Sequence, residues 1–182
     1  MKNDVKKILF SNEEVVIRSK ELANQINKDY AGKKPILVGL LKGSVPFMAE
    51  LLKYIDLYCQ TEYMVVSSYH GGTQSSGEVK IVKDIDVSIK DRDILIVEDI
   101  VDTGITLNTI VKLLKHRGAR SVEIACLLNK EARRVVPVDV KYTGFFIPDE
   151  FVIGFGLDYN EMYRNLPYVG VLKEEVYQRR NA

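Results

Sequence analysis

Cysteine is scarce in this chain of 182 residues: it has two, Cys59 and Cys126, and no C-x-x-C spacing. That argues against a disulfide framework. It leaves two small thiols in or beside apolar, strand-like stretches, as a cytosolic protein carries them. An excess of one charge is lacking too. Lys and Arg total 26 against 25 Asp and Glu, a net +1, and a general nucleic-acid binder is expected to show a marked basic surplus or stripe. No apolar run reaches the length of a membrane span, and the N-terminus, Met1 to Phe10, is basic without an apolar stretch of signal-peptide length. The expectation is a cytoplasmic protein with no membrane and no nucleic-acid partner. Repeats and low-complexity segments are absent, and so are two nucleotide-binding signatures. There is no G-x-x-x-x-G-K-[ST], and Gly154 and Gly156 have no third glycine to complete G-x-G-x-x-G.

What is present fits one α/β domain over residues 1–182. Hydrophobic residues make up 46% of the chain, enough for a real core, and 28% charged residues suit its surface. Ser11 with Glu14 is a capping-box pattern that opens a helix to about Tyr30, with Arg18, Lys20, Glu21 and Lys28 as its solvated face. Ala31 to Pro35 breaks that helix. Ile36 to Leu40 reads as a buried strand, and Leu41-Lys42-Gly43-Ser44 turns into a helix bearing Phe47, Met48, Leu51, Leu52 and Ile55. Further strands are expected at Tyr63–Ser67, Val79–Val82, Ile94–Val97, Val122–Leu128, Tyr142–Phe146 and Phe151–Phe155. Strands alternating with helices in this way indicate a mainly parallel sheet. Residues 69–77 hold three glycines and no aliphatic side chain, which suits either a surface loop or a lid over a substrate.

The most informative stretch follows Ile94–Val97. Glu98 and Asp99 stand at the end of that apolar run, Asp102 comes three residues later, and Thr103, Gly104 and Thr106 lead into a helix marked by Leu107, Ile110, Val111 and Leu114. Backbone amides at such a helix start, with the helix dipole, suit a phosphate. The carboxylates in front of them suit a hard cation or sugar hydroxyls. A helix capped by Asp102 accounts for Asp102 and Thr103 but not for a carboxylate pair straight after a buried run. Asp102-Thr103-Gly104 also matches the tripeptide of aspartic peptidases, but that reading needs an all-β chain, and the helical period after Gly104 opposes it.

Two weaker signals lie elsewhere. Leu41-Lys42-Gly43-Ser44 is a second strand-to-helix turn, which by itself is an ordinary connection. Lys130 follows a strand, Phe151-Val152 begins another, and Leu157-Asp158-Tyr159-Asn160-Glu161 leads to Arg164. A lysine, an aromatic face and free backbone groups together suit a flat heterocycle. Taken singly, Phe151 reads as core and Lys130 as solvated.

In combination these segments resemble the type I phosphoribosyltransferases, specifically the hypoxanthine (hypoxanthine-guanine) phosphoribosyltransferases. Val97 to Thr106 resembles their signature for phosphoribosyl pyrophosphate. Leu41-Lys42-Gly43, Ser68-Tyr69, Lys130 and Phe151-Val152 through Asp158 to Arg164 follow in matching order. The resemblance implies a twisted, mainly parallel sheet flanked by helices, with a small hood subdomain built from the chain termini. It implies transfer of a 5-phosphoribosyl group to N9 of a 6-oxopurine, with magnesium as cofactor. Thr103, Gly104, Ile105 and Thr106 would hold the 5′-phosphate. Glu98 and Asp99 would hold the ribose hydroxyls and magnesium, and Asp158, beside the purine, a second ion. Lys42, Gly43 and Arg164 would meet pyrophosphate, and Ser68 and Tyr69 would belong to the lid. Asp102 would be the general base near N7, Lys130 a donor to the 6-oxo group, Phe151 a stacking platform, and the Val152 backbone a contact to the base edge. In relatives the bond matching Leu41–Lys42 is cis, and some carry Lys where this chain has Ile105. Relatives form dimers or tetramers, so a homodimer or homotetramer is implied. A regulator that keeps this fold while binding nucleic acid would need a basic face or an added domain, and the near-zero net charge opposes it.

Overall fold

An unbroken apolar run in a strand must bury both faces, and two such runs, Ile36–Leu41 and Ile94–Val97, lie side by side at the centre of the sheet. The computed structural model describes residues 1–68 and 79–178. In chain order its elements are β1 (Val5–Phe10), α1 (Asn12–Asp29), β2 (Ile36–Leu41), α2 (Val45–Leu52), β3 (Gln60–Ser68), β4 (Val79–Lys83), β5 (Asp93–Val101), α3 (Ile105–His116), β6 (Ser121–Asn129), β7 (Tyr142–Phe146), β8 (Val152–Ile153), β9 (Val169–Leu172) and α4 (Glu174–Gln178). Six strands form one sheet in the order β4-β3-β2-β5-β6-β7. All neighbours are parallel except the edge strand β4, which runs antiparallel to β3.

Period-two alternation divides the core between the two faces of this sheet. Leu37, Leu95 and Val97 point to the side covered by α1 and α2, where they meet Leu22, Ile26, Phe47 and Leu51. Ile36, Val38, Ile94 and Ile96 point to the other side, against Leu107, Ile110 and Leu114 of α3. Each such side chain, fully buried, contributes about 1.5–3 kcal/mol. The capping box at Ser11 forms as expected, with the Glu14 amide donating to the Ser11 hydroxyl and the Ser11 amide to the Glu14 carboxylate. Arg18, expected on a solvated face, instead reaches across to β7, donating to the carbonyls of Thr143 and Gly144 at 2.8 Å each. Lys20, Glu21 and Lys28 are exposed.

Two departures from the sequence reading have physical causes. β5 continues past Val97 to Val101, because β6 keeps pairing with it: Glu98 lies opposite Cys126 and Val101 opposite Asn129. The strand expected over Phe151–Phe155 shrinks to Val152–Ile153, because Gly154, Phe155 and Gly156 all take positive φ and turn the chain back on itself. The helix carrying Phe47 stops at Leu52 rather than near Ile55. A second, three-stranded sheet, β1-β9-β8, joins the two ends of the chain, with Val5 opposite Leu172 and Val152 opposite Val171.

Leaving β2, the chain passes to β3 on one side, while β5 lies on the other. The carboxyl ends of β2 and β5 therefore flank the point where strand order reverses, the usual place for a ligand crevice in an open α/β sheet.

Candidate active site

β5 delivers the acidic residues to that crevice. Glu98 and Asp99 are its sixth and seventh residues, in the strand itself rather than in the loop beyond it. Burial, with Asp99 next to it, pushes the Glu98 carboxyl well above the usual carboxylate range, and Glu98 Oε2 has no hydrogen-bond partner among the described residues. Asp99 is raised to about 6, chiefly by burial and further by Asp158, against the pull of the Ile100 amide and Arg164. The Ile100 N–H donates to Asp99 Oδ1 at 2.9 Å. An adjacent, desolvated acidic pair with an orphaned oxygen is electrostatically incomplete, and a cation or ligand hydroxyls would complete it. No cluster of three or more His, Cys, Asp or Glu residues converges as a metal cage among the described residues, so Glu98, Asp99 and Asp158 do not make one together. Magnesium is commonly held by one or two carboxylates plus substrate oxygens, and Glu98 with Asp99 fits that pattern.

The turn Asp102–Gly104 follows, and α3 starts at Ile105. Its N-cap is Gly104, at φ +82°, with no side chain capping the helix; Asp102 is not the cap. The Ile105 amide donates to Thr103 Oγ1 at 3.4 Å, and the next first-turn amides of α3 have no intrahelical acceptor, which leaves them open to an anion. A pocket of about 140 Å³ sits there, lined by Glu98, Asp102, Thr103, Gly104 and Thr106, with Ile100 and Val101 beside them. Asp102 Oδ1 is buried without a partner among the described residues, and its Oδ2 lies 3.7 Å from Arg133 Nη1. Beneath the turn, Arg134 donates to the Asp102 carbonyl at 2.9 Å, to Val101 O at 3.3 Å and to Asn129 Oδ1 at 2.5 Å. Thr103 O accepts from the amides of Val135 and Val136. This brace was not legible in the sequence, where Arg133-Arg134 looks like any basic pair.

Opposite, the turn after β2 comes within contact of Asp99. The Leu41–Lys42 peptide is cis. Gly43 is buried, and any Cβ there would overlap the Asp99 carboxylate. Gly43 O in turn packs so closely on Gly156 that a Cβ at 156 would overlap it. Lys42 is exposed and donates to Glu161 Oε2 at 2.7 Å. Arg164 lies 2.9 Å from Asp158 Oδ1 and 3.3 Å from Glu161 Oε1, and it donates to Gly156 O at 2.8 Å. Glu161 therefore links the two cations expected to meet pyrophosphate, a role its position in the sequence does not reveal.

Lys130 and Phe151 both differ from what each suggests when read singly. Lys130 is buried, 5% exposed, and donates to Glu150 O at 2.8 Å, with Asp149 3.6 Å away. An ammonium has three donors, so capacity remains for a ligand acceptor. Phe151 is 40% exposed rather than core. Its ring is stacked on Tyr177, centroids 5.2 Å apart and planes 24° from parallel, and stands at 88° to Tyr159, 5.6 Å away. Val152 is buried and paired with Val171 in the small sheet. Ser68 ends β3 opposite Val79; Tyr69 and the expected lid over residues 69–77 lie outside the described residues.

Three comparisons bear on this arrangement. A family model described as the phosphoribosyl transferase domain matches residues 6–160. The chain is 58% identical to the hypoxanthine-guanine phosphoribosyltransferase of Streptococcus mutans serotype c, covering 98% of this chain and 99% of that protein. It is 58% identical to the protein of that name from Lactococcus lactis subsp. lactis, covering 96% and 95%. A crystal structure of a hypoxanthine phosphoribosyltransferase from Staphylococcus aureus superposes with a TM-score of 0.94 at 53% identity, covering 97% of this chain and 96% of that one.

Proposed function

This chain belongs to the phosphoribosyltransferase family, in the branch of the hypoxanthine-guanine enzymes, and we propose that it salvages 6-oxopurines by transferring the 5-phosphoribosyl group of phosphoribosyl pyrophosphate to N9 of hypoxanthine or guanine, releasing pyrophosphate and giving IMP or GMP. The observation that carries this reading is the end of β5. A buried carboxylate pair, with Glu98 Oε2 unpartnered among the described residues, and a helix start with no N-cap side chain follow one another there, which matches a ribose and its 5′-phosphate.

Each group has a task that its surroundings support. The amides and hydroxyls of Thr103 to Thr106 bind the 5′-phosphate, with Gly104, at φ +82° and packed too closely on Val136 O for a Cβ, shaping the turn. Glu98 and Asp99 accept hydrogen bonds from the ribose hydroxyls and stabilise positive charge that develops on the ring as the bond from C1′ to pyrophosphate breaks and the bond to N9 forms. Glu98 and Asp99 would hold magnesium together with substrate oxygens, and Asp158 would hold a second ion; the metal, when bound, would supply neutralisation of charge on the leaving pyrophosphate. Asp102 takes the proton released from the base, at N7, and its buried, unpartnered Oδ1 is free to do so. Lys42 and Arg164 exchange Glu161 for pyrophosphate oxygens. Lys130 donates to the 6-oxo oxygen, which selects against adenine, whose exocyclic amine would leave two donors facing one another. Phe151 carries the base.

Residues 1–182 act on this proposal as one phosphoribosyltransferase domain, with Ser68 and Tyr69 at a lid that keeps water from the reacting ribose. The chain works as a homodimer or homotetramer in the cytoplasm. No helix among the described residues is long and apolar enough to cross a membrane. The test is to supply protein, magnesium and phosphoribosyl pyrophosphate with hypoxanthine, guanine, xanthine or adenine in turn and to follow nucleotide formation. Nucleotide from hypoxanthine or guanine is expected; turnover of adenine alone, or of none of the four, overturns the proposal.

A further inference from the structure

A platform for a flat base has two requirements: an exposed aromatic surface and a fixed ring plane. Phe151 has the first, with 40% of its surface open. It has no strand to supply the second, because β8 begins one residue later. Tyr177 provides it. This residue lies in α4, twenty-six positions away, and its ring is stacked on Phe151 at 5.2 Å and 24°, while Tyr159 stands perpendicular at 5.6 Å. The two ends of this contact share one frame. Leu172 N donates to Phe151 O at 2.9 Å, and α4 follows directly from β9, with Lys173 N donating to Asp4 O at 2.9 Å. Tyr177 and Tyr159 also pack with Ile153, Leu166 and Leu172 in a small apolar cluster of their own.

We infer that Tyr177 is a positioning residue for the purine: it backs Phe151 on the face away from the base and fixes the plane on which the base stacks. The inference rests on the reading of Phe151 as the stacking platform. A backing ring changes how well the base is held and does not touch the phosphoribosyl half of the site, so its loss acts on one substrate only. Aromatic pairs and base–aromatic stacking are both sensitive to ring orientation, and a loosened Phe151 loses part of the second through the first.

The experiment uses the full chain with steady-state kinetics, varying hypoxanthine and phosphoribosyl pyrophosphate separately, for Tyr177→Leu, Tyr177→Phe, Phe151→Leu and the double variant, with thermal melts alongside. Tyr177→Leu keeps apolar bulk and removes the ring. It is expected to raise KM for hypoxanthine about two- to tenfold with KM for phosphoribosyl pyrophosphate unchanged, and Tyr177→Phe restores the parent value. In the Phe151→Leu background the Tyr177 change adds nothing, because there is no plane left to fix. An unchanged hypoxanthine KM in Tyr177→Leu overturns the inference. A lowered one does too, since it means that Tyr177 covers the place of the base. Equal rises in both KM values also overturn it and mark a general structural role. If Phe151→Leu itself leaves hypoxanthine KM unchanged, the stacking platform fails and the inference with it; if only Phe151→Leu raises it, the platform stands and the backing role falls.

Discussion

Gly43→Ala is the substitution that most directly tests how the two turns of the site fit together. The peptide at Gly43 is not at positive φ, so alanine meets no backbone strain there. The obstacle is Asp99. A Cβ built on Gly43 lies 2.5 Å from Asp99 Cγ and overlaps Oδ2. Carbon atoms in contact sit about 3.5–4.0 Å apart, so the carboxyl group must retreat by about 1 Å or more. Asp99 has the freedom to rotate away, losing the Ile100 amide that donates to Oδ1 at 2.9 Å. The cost to stability is therefore modest, about 1–3 kcal/mol as for other overpacked sites, while displacement by about 1 Å of the carboxylate proposed to bind ribose is expected to lower kcat/KM by roughly 10²-fold. Gly156→Ala presses on the same place from behind, since its Cβ would overlap Gly43 O and lie 3.0 Å from Pro46 Cδ, and here φ is +99°. Backbone cannot rotate away as a side chain can, so Gly156→Ala is expected to destabilise more than Gly43→Ala. The assays are kcat/KM for phosphoribosyl pyrophosphate and urea unfolding of the same preparations. A Gly43→Ala enzyme with full activity would refute the packing argument and remove Asp99 from ribose binding.

Asp102→Asn keeps the shape of the turn and removes the base, so kcat is expected to fall by roughly 10²-fold with little change in KM; an unchanged kcat refutes the acid–base role. Arg134→Met leaves the carbonyls of Val101 and Asp102 and the Asn129 side chain without their shared donor, and a loss of about 2–4 kcal/mol in urea unfolding is expected, a parental midpoint being the contrary result. Far from the crevice, the Arg120 guanidinium and the Ser121 hydroxyl hold buried Asp93 at about 2, below its ordinary 3.8. A depressed carboxylate stabilises the fold above its unfolded value and loses that contribution as pH falls through the folded one. The advantage of the parent over Asp93→Asn should thus be about 2 kcal/mol at neutral pH and shrink between about pH 4 and pH 2. A difference that does not vary with pH would contradict this assignment.

Local chemistry made much of the molecule readable in advance. Apolar runs and period-3.6 patterns located β2 to β7 and the helices α1 to α3, because each pattern reports burial within a few residues of itself; α4 was not expected. The edges were less readable. β1 and β9 carry no strong local signal; they are strands because Val5 meets Leu172 from the other end of the chain. Glu98 and Asp99 looked like loop residues because polarity usually ends a strand, whereas pairing with Cys126 and its neighbours carries β5 through them.

The order of residues alone specified an acidic pair, a helix start suited to a phosphate and the fold class, since these depend on neighbours along the chain. Tertiary structure decided the rest. It placed Lys130 in the interior against Glu150, put Arg134 under the Asp102 turn, joined Lys42 to Arg164 through Glu161, and laid Tyr177 against Phe151. Each of these contacts joins segments whose separation in sequence says nothing about distance in space, and only the packing of the two sheets brings them together.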